Sequence, residues 1–179
     1  NKAKMIALIS GKIVYKTITD VVVETQGVGY HVHVPLTTFY KLPEVGAFVT
    51  LHVYTSVKQD AINLFGFYSP QEKEVFELML NVSGIGPKMS LNILSGMDVE
   101  NLLKAIAQGD VGKLVSIPGL GKKTAERLIL ELKEKIGKKM AAVYETDIKT
   151  DVRKKELVRD DVLSALVNLG YKNHAAQQA

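Results

Sequence analysis

The stretch SIPGLGKKTAERLI, residues 116–129, places two glycines one residue apart, follows them with two lysines, and runs on with helical spacing. A looser copy, NVSGIGPKMSLNIL, lies upstream at residues 81–94. Offset by 35 residues, Gly84 falls on Gly119, Gly86 on Gly121 and Lys88 on Lys123. Aliphatic Val82, Ile85 and Ile93 fall on Ile117, Leu120 and Leu128, and small Ser90 falls on Ala125. Each copy has a helical pattern before the turn and another after it, so the repeated unit is helix, tight turn, helix.

Glycine permits positive φ and leaves no side chain over the backbone amides. Those amides gather at the start of the next helix, where unpaired donors and the helix dipole favour an anion. Ile85 and Leu120, between the glycines, can point inward and pin each turn to its helices. Lys88, Lys122 and Lys123 sit in the first helical turn, where positive charge opposes the dipole. An external phosphate accounts for their presence there. A nucleotide-binding phosphate loop does not fit: Ser116 stands where its first glycine belongs, and Lys123 follows Lys122 where Ser or Thr is required.

Charge follows the same segment. The net charge is +4, and residues 83–140 carry ten Lys/Arg against six Asp/Glu, whereas residues 141–179 carry six of each. A positive excess on the glycine turns is the footprint of a polyanion binder. With no cysteine, disulfide and thiolate chemistry are excluded. Histidines 31, 33, 52 and 174 are scattered; His31 and His33 share one face of a strand-like run, read as a polar sheet face and not as a metal site. No apolar run approaches the roughly 20 residues that span a bilayer, and no signal-peptide pattern opens the chain. The expected location is the cytoplasm. Asn1–Lys4, ahead of Met5, are set aside from the fold.

Outward from the turns, residues 5–68 read as β. DVVVET, YHVHVP, FVTLHVYTSV and AINLFGF are rich in Val, Thr and aromatics, with QGVGY and PEVGA as turns. With MIALISGKIVY in front, about five strands result, which suits a small closed barrel. PLTTFYKL reads as one helical turn between strands. At Ser69 the period changes: Ser69 as N-cap, Pro70 at the first helical position and Glu72 three residues after the cap mark a helix start. Further helices are expected at Pro87–Ser95, Asp98–Gln108, Val111–Val115 and Lys122–Ile136, with Asp98 and Asp110 as caps. Residues 137–155 read as a linker, and helical spacing resumes over 156–179.

Taken in order, MIALISGKI, GVGYHVHVP, FYKLPEVG, LFGF, SGIGPKMSLNILSGM, IPGLGKKTAERLILELK and ALVNLGYK resemble the bacterial RuvA family of Holliday junction branch migration subunits. The likeness runs from Met5 to the end of the chain. It implies a multidomain β plus all-α fold: an OB-fold barrel (5–68) for tetramerisation and the junction centre, tandem helix-hairpin-helix motifs (69–136) for DNA, a flexible linker (137–155), and a small UBA-like helical domain (156–179) for the motor. That tail is a three-helix unit in the family, and Ala179 falls within its second helix, so 156–179 reads as incomplete.

The resemblance also implies a role. A homotetramer, or an octamer on DNA, holds four-way junction DNA open and recruits the hexameric motor RuvB for branch migration in recombination and repair, alongside the resolvase RuvC. The chain itself has no enzymatic activity and no cofactor, ATP being used by the motor. Phosphate-binding positions carried over are Gly84, Ile85, Gly86, Lys88, Gly119, Leu120, Gly121, Lys122, Lys123, Thr124 and Arg127. The family's acidic pin falls on Gln59 and Asp60, of which only Asp60 keeps the charge. Motor binding falls on Leu163, Leu166, Leu169 and Tyr171; no metal ligand is implied.

Two other functions use the same parts. A helix-hairpin-helix repair glycosylase or lyase would use Lys122 or Lys123 as an amine nucleophile. It also needs a downstream acid, and the nearest is Asp147, inside the linker. An OB-fold single-strand binder would stack bases on Tyr30, Phe39, Tyr40, Phe65 or Phe67.

Overall fold

A computed structural model describes residues 5–133. Five strands come first: β1 (Leu8–Lys16), β2 (Asp20–Thr25), β3 (Val28–His33), β4 (Phe48–Val57) and β5 (Ile62–Phe67). They close in the order β1-β2-β3-β5-β4, antiparallel throughout except for the parallel β3–β5 pair. A four-residue helix, α1 (Leu36–Phe39), fills the connection from β3 to β4. This is the small closed barrel that the alternating strands suggested and the OB-fold that the family resemblance implied.

Period two explains the inside. Ile9 and Ile13 of β1, Val21 and Val23 of β2, and Val49, Leu51 and Val53 of β4 all turn inward and are buried. The intervening residues face out. The register slips between Ile13 and Tyr15, where a bulge bends β1. Strand β5 breaks the alternation and is buried on both faces. Leu64 joins the barrel core, while Phe65 and Phe67 lie under the next helix, α2 (Pro70–Met79).

Phe76 of α2 packs its ring 4.8 Å from Phe67 and 5.4 Å from both Phe65 and Tyr54. Burying each such side chain contributes about 1.5–3 kcal/mol. Phe65 and Phe67 are thereby withdrawn from any base-stacking role, whereas Tyr40 is exposed.

The helix start at Ser69 differs from a simple capping box. Ser69 Oγ accepts from Glu72 N–H at 3.2 Å as expected, but the Glu72 carboxylate does not return to Ser69. It accepts instead from Thr38 Oγ1 at 2.8 Å, Tyr68 N–H at 3.1 Å and Lys41 Nζ at 2.6 Å. Glu72 is buried, so these donors replace the water it loses.

Helices α3 (Pro87–Gly96), α4 (Val99–Gln108) and α5 (Val111–Val115) follow, and residues 122–133 form α6 to the last described position. Asp98 and Asp110 each cap their helix, accepting 2.9 Å bonds from Asn101 and Lys113 N–H. Helix α1 ties barrel to helices: Thr37 Oγ1 donates to Leu94 O at 2.8 Å, and Leu36 N–H to Ser95 Oγ at 3.0 Å. Barrel and helices form one compact unit. No helix among the described residues is long and apolar enough to cross a membrane.

Candidate nucleic-acid interface

The two glycine turns are the same structure built twice. In the first, Val82 N–H donates to Met79 O at 3.0 Å and Ile85 N–H to Val82 O at 3.0 Å. In the second, Ile117 N–H donates to Leu114 O and Leu120 N–H to Ile117 O, both at 3.1 Å. The first glycine of each turn is left-handed, with φ of 89° at Gly84 and 81° at Gly119, which an L side chain adopts only with strain. Ile85 and Leu120 are buried between their flanking helices, as are Val82, Ile117, Ile93, Leu128, Ser90 and Ala125. The repeat therefore holds in packing as well as in sequence.

The second glycine of each turn has no such structural reason. Gly86 caps α3 with φ −102° and ψ −179°, a conformation open to any residue. A Cβ at Gly86 or Gly121 meets no atom within 4 Å. Ser, Asp or Asn would cap the helix better than glycine does. What glycine leaves bare are exposed backbone amides: those of Gly84, Gly86, Gly119 and Gly121 find no acceptor among the described residues. Such donors beside a helix N-terminus suit a phosphate oxygen.

The lysines divide into two kinds. Lys88 and Lys123, matched across the repeat, are exposed and form no ion pair among the described residues. Lys122 lies 4.0 Å from Glu126, a solvated pair on the surface of α6. Thr124 is half-buried and its amide is taken by Gly121 O at 3.0 Å. Arg127 also makes contacts within the chain: Nη1 donates to Ser83 O at 3.4 Å, and Nε lies 3.9 Å from Glu131, with the side chain half-exposed.

That Arg127 contact has a counterpart that sequence reasoning missed. Asn92 Nδ2, on α3, donates to Pro118 O in the second turn. Asn92 aligns with Arg127, and Ser83 with Pro118, at the same 35-residue offset. Each helix that follows a turn thus holds the carbonyl of the other turn, and the two are clasped reciprocally. The signal was present as a polar donor at one matched position in both copies.

Gln59 and Asp60 are exposed at the tip of the β4–β5 loop, closed by Lys58 N–H to Ala61 O at 2.9 Å. The linker, the tail with Leu163, Leu166, Leu169 and Tyr171, and Asp147 lie outside the described residues, as do residues 134–136, where the last hairpin helix is expected to end.

Comparison with known proteins places this geometry. A model of the RuvA N-terminal domain matches residues 5–66, a SAM-like helix-hairpin-helix tandem matches 76–135, and the RuvA C-terminal domain matches 157–179. A protein named Holliday junction branch migration complex subunit RuvA, from Citrifermentans bemidjiense, is 49% identical over 175 residues, covering 98% of this chain and 87% of its own length. The chain belongs to the RuvA family. RuvA proteins of the same name from Geobacter sp. strain M21 (50% over 175 residues, 98% and 87%) and Geobacter sulfurreducens (51% over 168 residues, 94% and 84%) are comparably similar. In RuvA terms, the barrel is the N-terminal domain and the clasped turns are the helix-hairpin-helix tandem.

Proposed function

We propose that this RuvA-family chain is a non-catalytic DNA-binding subunit that recognises four-way junctions and holds them open during branch migration. The observation that carries the reading is the pair of bare amide clusters at Gly84/Gly86 and Gly119/Gly121, each followed in the first helical turn by a lysine, Lys88 or Lys123, with no ion pair among the described residues. Contacts of this type grip the sugar-phosphate chain without reading bases. The names of the similar proteins support the junction as the ligand.

The finer parts of the reading follow the family. Four subunits form a ring in which each serves one arm, a closed symmetry matched to a four-armed ligand; an octamer clasps the DNA from both sides. Gln59 and Asp60 face the crossover, where Asp60 repels phosphate and keeps strands apart. The tail, through Leu163, Leu166, Leu169 and Tyr171, recruits RuvB, which uses the ATP, and RuvC resolves the product. The complex works in the cytoplasm. A lyase reading loses support from Lys122, which is exposed and lies 4.0 Å from Glu126.

The test is a gel-shift series on four-way, three-way and linear DNA at increasing salt. Junction preference is expected, with log K falling by about 0.9 per phosphate neutralised for each unit of log salt. Equal affinity for all three forms defeats the proposal.

A further inference from the structure

We propose that Asp20, His31 and His33 form a binding site for a divalent first-row transition ion, zinc by its ligand chemistry, on the outer face of the barrel. The site arises from register. Antiparallel pairing sets Asp20 of β2 opposite His33 of β3, and Val22 opposite His31. Period two then puts Asp20, His31 and His33 on one outward face, while Val21, Val23 and Val32 fill the core between them. The two histidines alone gave no more than a polar strand face; the third ligand comes from a neighbouring strand.

The donor atoms converge. His33 Nδ1 lies 2.5 Å and His31 Nε2 3.5 Å from the same carboxylate oxygen, Asp20 Oδ1. One ligand atom from each residue lies within 4.8 Å of the others. Four-coordinate zinc has bonds of about 2.0–2.2 Å to nitrogen and oxygen, which sets donors roughly 3.3 Å apart. Closing the set around an ion therefore needs ring shifts of an ångström or so. Both rings have room for that, since the His31 side chain is 58% exposed and that of His33 35%.

The surroundings orient the set. Thr19 Oγ1 donates to Asp20 Oδ2 at 2.5 Å, occupying the second carboxylate oxygen and leaving Oδ1 for the histidines. Hydrogen bonds of this kind to a ligating carboxylate hold it in place for a metal. The His33 ring rests 5.5 Å from Phe65, itself buried under α2, and meets His31 edge-on at 5.1 Å. Two imidazoles with one carboxylate select zinc, cobalt, nickel or copper over magnesium and calcium, which take oxygen ligands. Three protein ligands on an open face leave further positions to water.

The probe is the metal alone, on the full chain freed of metals by chelator and carrying no histidine tag. Titration with zinc chloride is expected to show one saturable ion per chain and a rise in melting temperature. Cobalt(II) at the same site is expected to give an intense visible band distinct from the aquo ion. His31→Ala is the primary variant, because so exposed a side chain is not needed for folding; it should weaken zinc binding at least about tenfold and abolish the cobalt band. Thr19→Ala, which removes no ligand, should weaken binding by a smaller factor, and His52→Ala should leave it unchanged. Absence of saturable binding, or zinc affinity and a cobalt band that survive His31→Ala, overturns the assignment and leaves a plain Asp–His ion pair.

Discussion

Replacing Gly86 and Gly121 together with serine separates the needs of the fold from those of the ligand. A Cβ at either position enters open space, and neither glycine is left-handed. Serine caps a helix slightly better than glycine, so each substitution should leave stability unchanged or raise it by a few tenths of a kcal/mol. The new side chain would accept from an amide of the first helical turn and stand in the open space through which a phosphate reaches the bare glycine amides. A hydrogen bond to a charged group is worth about 1.5–3 kcal/mol, and about 1.4 kcal/mol is tenfold in affinity. Losing one such bond per hairpin should weaken junction binding at least about tenfold for each hairpin. The plot of log K against log salt should also become shallower by about 0.9 per phosphate released. Fluorescence anisotropy of a labelled four-way junction across about 50–200 mM salt, with a thermal melt of the same preparation, reads both quantities. A variant that melts at or above the parent yet binds with unchanged affinity and slope refutes the proposal that amides grip phosphate.

Four further outcomes are expected. Asn92→Ala should cost about 1 kcal/mol in urea unfolding and lower junction affinity without altering the salt slope, since it displaces a hairpin and removes no phosphate contact; a changed slope would assign Asn92 to the DNA instead. Ser90→Ala should be neutral or stabilising by up to about 1 kcal/mol, because the buried Ser90 hydroxyl has no partner among the described residues and Ala125 already fills the matched position. Glu72→Ala should destabilise by about 2–4 kcal/mol in the same assay, as Thr38 Oγ1 and Tyr68 N–H lose their acceptor in a buried place. Backbone and side-chain hydrogen bonds from Asn101 hold the Asp98 carboxyl below its ordinary 3.8. Its contribution is therefore present above that value and lost as pH falls below it; Asp98→Asn, which still caps, should flatten the acid limb of melting temperature against pH.

Local signals carried the strands and helices well. Alternating Val and Ile located β1 to β4, and Ser69, Asp98 and Asp110 marked helix starts because a cap acts within three residues. The hairpins were legible because glycine, aliphatic and lysine recur at a fixed offset. What stayed hidden depends on distant partners. Glu72 reads as a capping-box residue, yet its carboxylate goes to Thr38 and Lys41, 34 and 31 positions away. Nothing local to Arg127 announces that its guanidinium also reaches Ser83, 44 residues back. Asp20 joins His31 and His33 only through strand register, which spacing alone does not supply.

Mutual bracing of the kind made by Asn92 and Arg127, where each half supports the other's turn, is the mark of an approximate two-fold axis. A DNA duplex has dyads of its own, perpendicular to its length, that exchange its antiparallel strands. A duplex bound with one of its dyads on that axis would meet matched glycine turns, and Lys88 matched with Lys123, on its two strands. Such a surface would not distinguish one strand from the other, so an arm bound there would present the same face whichever way it moved.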